Sequence, residues 1–178
     1  MSEVYLDHQL IHNSSLACFL LTHFIVEYQE AGLGQTPDLP KLMLVLPFVW
    51  NQRSRDALSP RTSRSTLGAV LRETPVLKID LQRRVSAHAA TTLQGLNLAV
   101  SSRLVGKISS KGSETSFQVL VDRWPRGIKN TIPAAMLQTT EKLAKWFATD
   151  TTENLYKLLF VNAGPKLTPF PHFSPIEI

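Results

Sequence analysis

Between residues 81 and 104, apolar side chains recur at steps of three and four: Leu81, Val85, Ala89, Leu93, Leu96, Val100 and Leu104. That period puts them on one face of an α-helix. The stripe predicts a long helix from about Asp80 to Val105. A chain that devotes its middle to one amphipathic helix must surround that helix with partners for its apolar face. Gly95 stands inside the stripe. Glycine in a helix interior costs about 1 kcal/mol relative to alanine, so a close neighbour is expected there.

The flanking segments supply helical partners. Asn13 is placed to cap a helix running to about Ala31, with Gly32 just past its end. Ala17, Leu20, Leu21, Phe24 and Tyr28 form its stripe, and Phe19, Ile25 and Val26 widen it, which implies burial on more than one side. Leu33 to Pro40 reads as a connector. The apolar run Leu42 to Trp50 is expected to be helical, kinked or split at Pro47. Residues 51–64 read as a polar, basic loop, followed by a short helix from Ser63 or Ser65 to Glu73 that stops at Thr74-Pro75.

Beyond the long helix, Val105–Ser109 and Ser116–Val121 flank a turn at Ser110 to Ser113 and predict a β-hairpin. Thr131 is expected to cap a helix with Pro133 in its first turn and with Met136, Leu137, Thr140, Leu143, Ala144 and Phe147 inward. Asp150 and Glu153 suggest a capping-box start for a last helix carrying Leu155, Tyr156, Leu158 and Leu159. The expected fold is mainly α, with five to six helices and one late hairpin in a single domain over residues 1–165. Winged-helix-like elements are one form this could take. Residues 166–178 read as an extended tail, because Pro169, Pro171 and Pro175 deny it helix or inner-strand pairing. Its Phe170, Phe173, Ile176 and Ile178 are apolar enough to predict docking, on the chain's own helices or, as the favoured reading, on a partner.

Several classes are excluded. With 43% hydrophobic and 19% charged residues the composition is globular, not disordered. The single cysteine, Cys18, permits no disulfide framework and points to a reducing, cytoplasmic compartment. The opening MSEVYLDHQL has no basic segment followed by an apolar one, so no secretory signal is expected. The longest apolar run has nine residues where a membrane span needs about 20, so a soluble chain is expected.

Catalytic patterns are missing as well. Gly32 and Gly34 lack the third glycine and the Lys-Ser/Thr of a phosphate loop. His8 and His12 share a helical face, but no third ligand accompanies them. Cys18 and His23 point to different faces of one helix. Neither an enzyme nor a cofactor or metal protein is expected.

Charge is the strongest pointer to function. Residues 1–50 carry Lys41 against Glu3, Asp7, Glu27, Glu30 and Asp38, a net of −4, whereas residues 51–129 carry a net of +9. Such asymmetry offers one region to a polyanion or an acidic partner. Arg53, Arg55, Arg61 and Arg64 lie among serines and threonines, a set that suits phosphates or carboxylates. Arg72 is the one long cation of the short helix that follows, and Lys107 and Lys111 lie on the hairpin. These seven residues are the candidate partner- or DNA-binding set. Trp124 is expected to cap the core beneath the hairpin.

The order of elements resembles the middle component of bacterial three-component ABC systems, a group that includes Lamassu-type antiphage defence. The resemblance rests on Asn13 with Leu16 and Ala17, on Tyr28, and on the run Leu44-Val45-Leu46-Pro47-Phe48-Val49 followed by Arg53 or Arg55 and Leu58. It continues through Ser65-Thr66-Leu67, Pro75 and Asn154-Leu155-Tyr156-Lys157-Leu158-Leu159. The chain departs from it at Ser14, where the family has proline, and at Asn51-Gln52, where it has His-Lys. The resemblance implies a non-catalytic adaptor subunit that works with an SMC/Rad50-like ABC ATPase and an effector such as a nuclease. It also implies DNA contact through the complex and no membrane contact. The alternative is a free-standing winged-helix DNA-binding regulator.

Overall fold

The computed structural model describes residues 13–109, 115–121 and 127–161. They are mainly helical, with one two-stranded antiparallel hairpin late in the chain, as expected.

Helix α1 (Ser14–Ala31) starts where the Asn13 side chain accepts the Leu16 amide at 2.8 Å, and it ends as the Gly32 amide donates to the Tyr28 carbonyl. Its expected stripe is buried, and Ile25 joins it. The burial is two-sided, because α1 lies between α6 (Leu81–Ser101) and α8 (Ala134–Ala148).

The apolar run is helical and split, but the break falls at Leu44 and not at Pro47. It separates α2 (Leu39–Met43) from α3 (Val45–Val49). Pro47 is the third residue of α3, where an amide has no intrahelical acceptor to lose. Leu44, Val45, Leu46, Phe48, Val49 and Trp50 are all buried.

The segment read as a loop begins instead with a helix, α4 (Gln52–Leu58). Asn51 caps it, accepting the Ser54 amide at 2.9 Å, and the Lys142 ammonium closes its other end on the carbonyls of Leu58 and Ser59. The second of these supports comes from a residue 84 positions away, so local pattern does not reveal it. Helix α5 (Leu67–Glu73) is capped by Thr66, slightly later than expected. A 3₁₀ turn (Pro75–Lys78) leads into α6.

Helix α6 is present, but its buried face is Leu81, His88, Thr91, Thr92, Gly95, Leu96 and Ala99, and Leu93, expected inward, is 49% exposed. Gly95 is the cause. A Cβ placed on it would come within 2.8 Å of the Ala17 Cβ and 3.0 Å of the Ala17 and Cys18 backbone. Close helix approach at this point turns the small residues toward α1. Thr92 can be buried with them because its hydroxyl donates to the His88 carbonyl at 2.9 Å.

Strands β1 (Val105–Ile108) and β2 (Ser116–Val119) pair with Val105 opposite Val119 and Lys107 opposite Phe117. The connector before α2 adds to the edge of β2, where the Phe117 amide donates to the Pro37 carbonyl and the Leu39 amide to Thr115. Thr131 does not cap α8. It ends a short helix, α7 (Ile128–Thr131), and Pro133 occupies the cap position of α8. Helix α9 (Thr152–Phe160) is capped by Thr151, one residue later than expected. The Asp150 carboxylate accepts from the Asn154 side chain instead. Lys111, Trp124, Phe170, Phe173 and Ile176 lie outside the described residues.

Candidate interaction surface

Three cations spend their donors on the chain's own carbonyls. Lys41 is buried, and its Nζ donates to the Tyr28 hydroxyl at 2.7 Å, to the Phe147 carbonyl at 3.0 Å and to the Asp150 carbonyl at 2.8 Å. It thereby satisfies carbonyls at the C-terminal end of α8. Arg84 donates to the carbonyls of Pro47, Leu77 and Ile79 and to the Ser54 hydroxyl, which joins α3, α4, the 3₁₀ turn and α6. Burial pushes its guanidinium below the ordinary value, and Asp80 opposes the shift. Lys142, whose pKa burial also lowers, closes α4. Sequence reasoning singled out none of the three. Position 84 nevertheless stands in the inward series 81, 84, 88, 92, 95 and 99, a signal for a cation that works inside.

The candidate binding residues divide in the same way. Arg55 donates to the Val49 carbonyl at 2.8 Å, and Arg61 pairs with Glu73. Arg53, Arg64 and Arg72 are exposed. Helix α4, which carries Arg53, and helix α5, which carries Arg72, both adjoin the 3₁₀ turn with Lys78, which places a basic corner toward the N-terminal end of α6, and Arg64 stands on the segment that joins the two helices. Lys107, also exposed, sits on the hairpin that follows the C-terminal end of α6. A 21-residue helix, about 30 Å long, separates the two groups. The Arg corner and the hairpin are therefore two surfaces, not one.

The outer face of α6 connects them. Its exposed positions from 86 to 101 are Ser86, Ala87, Ala90, Leu93, Gln94, Asn97, Leu98 and Ser101, and none is charged. In a winged-helix reader the helix beside the wing supplies contacts to bases and phosphates, and cations carry much of that contact. This helix offers no cation between Arg84 and Arg103.

One cluster of titratable groups lies in the α1–α8 interface. The buried His23 ring has Nε2 3.3 Å from Glu141 Oε1 and Nδ1 3.9 Å from Glu27 Oε1. One imidazole and two carboxylates lie within 4.8 Å of one another, a set chemically able to ligate a cation. Lys145 and Lys129 already supply positive charge near Glu27, and we read the cluster as a polar contact between helices. Burial pushes the Cys18 thiol up, away from the nucleophilic thiolate.

Fold and surface together define a mainly helical domain, closed by a hairpin, that presents a basic corner and an uncharged helix face. No described helix is long and apolar enough to cross a membrane. The chain belongs to the family of Middle Component 3 of ABC-three component (ABC-3C) systems, whose model matches residues 1–163. That span takes in every motif on which the resemblance rests, and residues 164–178 fall outside it. No curated protein and no solved structure matches the chain.

Proposed function

We propose that this chain is a non-catalytic adaptor of an antiphage defence complex, of the kind that includes Lamassu. In this reading it joins an SMC/Rad50-like ABC ATPase to an effector such as a nuclease, in the cytoplasm, and meets DNA through the complex. The observation that carries the reading is the outer face of α6 on a chain of this family. Over residues 86–101 that face is uncharged, with Leu93 49% and Leu98 37% exposed. On a surface helix such a stretch favours contact with another protein over contact with water or phosphate. The basic corner formed by Arg53, Arg64 and Arg72 then meets an acidic surface of a second subunit and orients the complex.

Co-expression with the neighbouring ATPase and effector genes provides the test. The three products should co-purify, and Leu93→Glu with Leu98→Glu should reduce recovery of the complex while the chain's own melting temperature holds. Replacing Arg53, Arg64 and Arg72 by alanine should likewise weaken assembly. If the corner binds DNA instead, those changes will leave assembly intact and reduce the salt slope of DNA binding by about 0.9 per lost phosphate contact. A monomer that ignores both other components would overturn the proposal.

A further inference from the structure

We infer that the outer face of α6 is the seat of a single helix from another subunit, one with an uncharged seam and acidic residues at both of its ends. Arg83, Ala87, Ala90, Gln94, Asn97 and Ser101 are all exposed, and they follow one another at steps of four, three, four, three and four. That alternation is the heptad step by which one helix presents a straight seam to another lying beside it. Leu93 and Leu98, also exposed, stand about 140° apart around the axis, one on each flank of the seam. Ala87 and Ala90 keep the line shallow, so a second helix can approach closely and lay its own larger side chains over them. Gln94 and Asn97 can hydrogen-bond to amide or hydroxyl side chains opposite, which fixes the register. The inner face of α6 does not compete for these residues, because it packs against α1 at Gly95.

Charge names the occupant. No Asp or Glu occurs between Asp80 and Glu114, and the cations of that stretch lie toward the two ends of the seam. Arg83 marks one end, with the basic corner beyond it, and Asp80 offsets one charge there by pairing with Arg83 at 3.2 Å. Arg103 and Lys107, both exposed, mark the other end, about 30 Å away. A second copy of this chain fits poorly. Two copies paired antiparallel along the seam set Arg83 of one against the Arg103 end of the other. Paired parallel, they set each basic end against its like. A helix of another protein, with Asp or Glu about 20 residues apart and an uncharged seam between, complements both ends at once. This inference rests on the adaptor reading and narrows it, from a face that meets protein to the kind of element that it meets.

Photo-crosslinking in the complex of the three co-expressed subunits tests it. Benzoylphenylalanine in place of Leu93 and, separately, of Leu98 should crosslink to one and the same helix of another subunit, at sites within about two turns of each other. Ala90→Trp puts bulk into the middle of the seam and should lower recovery of the complex about tenfold. Gln82→Trp, exposed on the same helix but off the seam, should leave recovery unchanged. The melting temperature of the isolated chain should hold in both. Should Ala90→Trp fail to fold, Arg103→Glu with Lys107→Glu serves in its place. Recovery lost there should return when acids at the matching end of the crosslinked helix are changed to lysine. If the subunits do not co-purify at all, the adaptor reading falls and this inference falls with it. If they co-purify, the inference alone is overturned by crosslinks within this chain, between two copies of it, to nucleic acid or to scattered surfaces, or by a folded Ala90→Trp chain that assembles as before.

Discussion

At the scale of single residues, His23 is the group whose ionisation the fold constrains most visibly. Burial lowers its pKa below the ordinary 6.5, Lys129 adds to the effect, and Glu141 and Glu30 oppose it. A base whose folded pKa is lowered contributes no penalty well above pH 6.5, where both states are neutral. As pH falls through 6.5 toward the folded value, the unfolded chain takes up the proton first and stability is lost. The urea midpoint should therefore fall between pH 7.5 and pH 5.5, and His23→Gln should flatten that fall. Glu27 acts with the opposite sign, since burial raises its pKa from 4.5 and stability is lost as pH rises through that region. The His23 window opens downward from 6.5 and the Glu27 window upward from 4.5, so the two converge, and single His23→Gln and Glu27→Gln variants measured at several pH values tell them apart. Gly95 gives a second expectation. With Ala17 Cβ 2.8 Å from any added Cβ, and backbone atoms at 3.0 Å, Gly95→Ala must push α1 and α6 apart. It should destabilise by about 1–3 kcal/mol despite its better helix propensity, and a thermal melt should show a Tm lower by about 3–10 °C.

At the scale of elements, Arg84 does the work of a small core. Four acceptors on three different elements share one guanidinium, and its planar fork fits them in a way that an ammonium cannot. Arg84→Lys should cost about 1–3 kcal/mol, read as a lower denaturant midpoint, because the part-buried carbonyls of Pro47 and Leu77 cannot both keep a donor. The same residue shows what was and was not legible beforehand. Long periodic elements were readable: α1 with its Asn13 cap and Gly32 end, α6, α8 and the hairpin all stand close to where pattern placed them. The facing of α6 was not, because Leu93 is more hydrophobic than Thr92 and only the approach to Ala17 makes the small residues the buried ones. Helix α4 was missed because its sequence, QRSRDAL, looks like solvated loop until Asn51 and Lys142 are seen at its two ends. Of the binding residues, charge counting found the exposed Arg53, Arg64 and Arg72. It could not tell them from Arg55, whose side chain reaches back to a carbonyl of its own chain.

At the scale of the whole molecule, α6 spans the body and holds the basic corner and the hairpin at opposite ends. Gly95 is where that span is pinned to α1, and the pin acts like the zero mark of a vernier. Positions one turn away offer no second notch, since Thr91 and Ala99 both carry the Cβ for which this approach leaves no room. Sliding along the shaft is thereby forbidden, and the pitch of the helix converts one mark into a fixed angle and offset for everything carried beyond it. Each residue inserted between Gly95 and Ser101 would swing the hairpin by about 100° and advance it by about 1.5 Å relative to the corner. A gap tolerated almost anywhere else on the surface would here put the two ends out of phase.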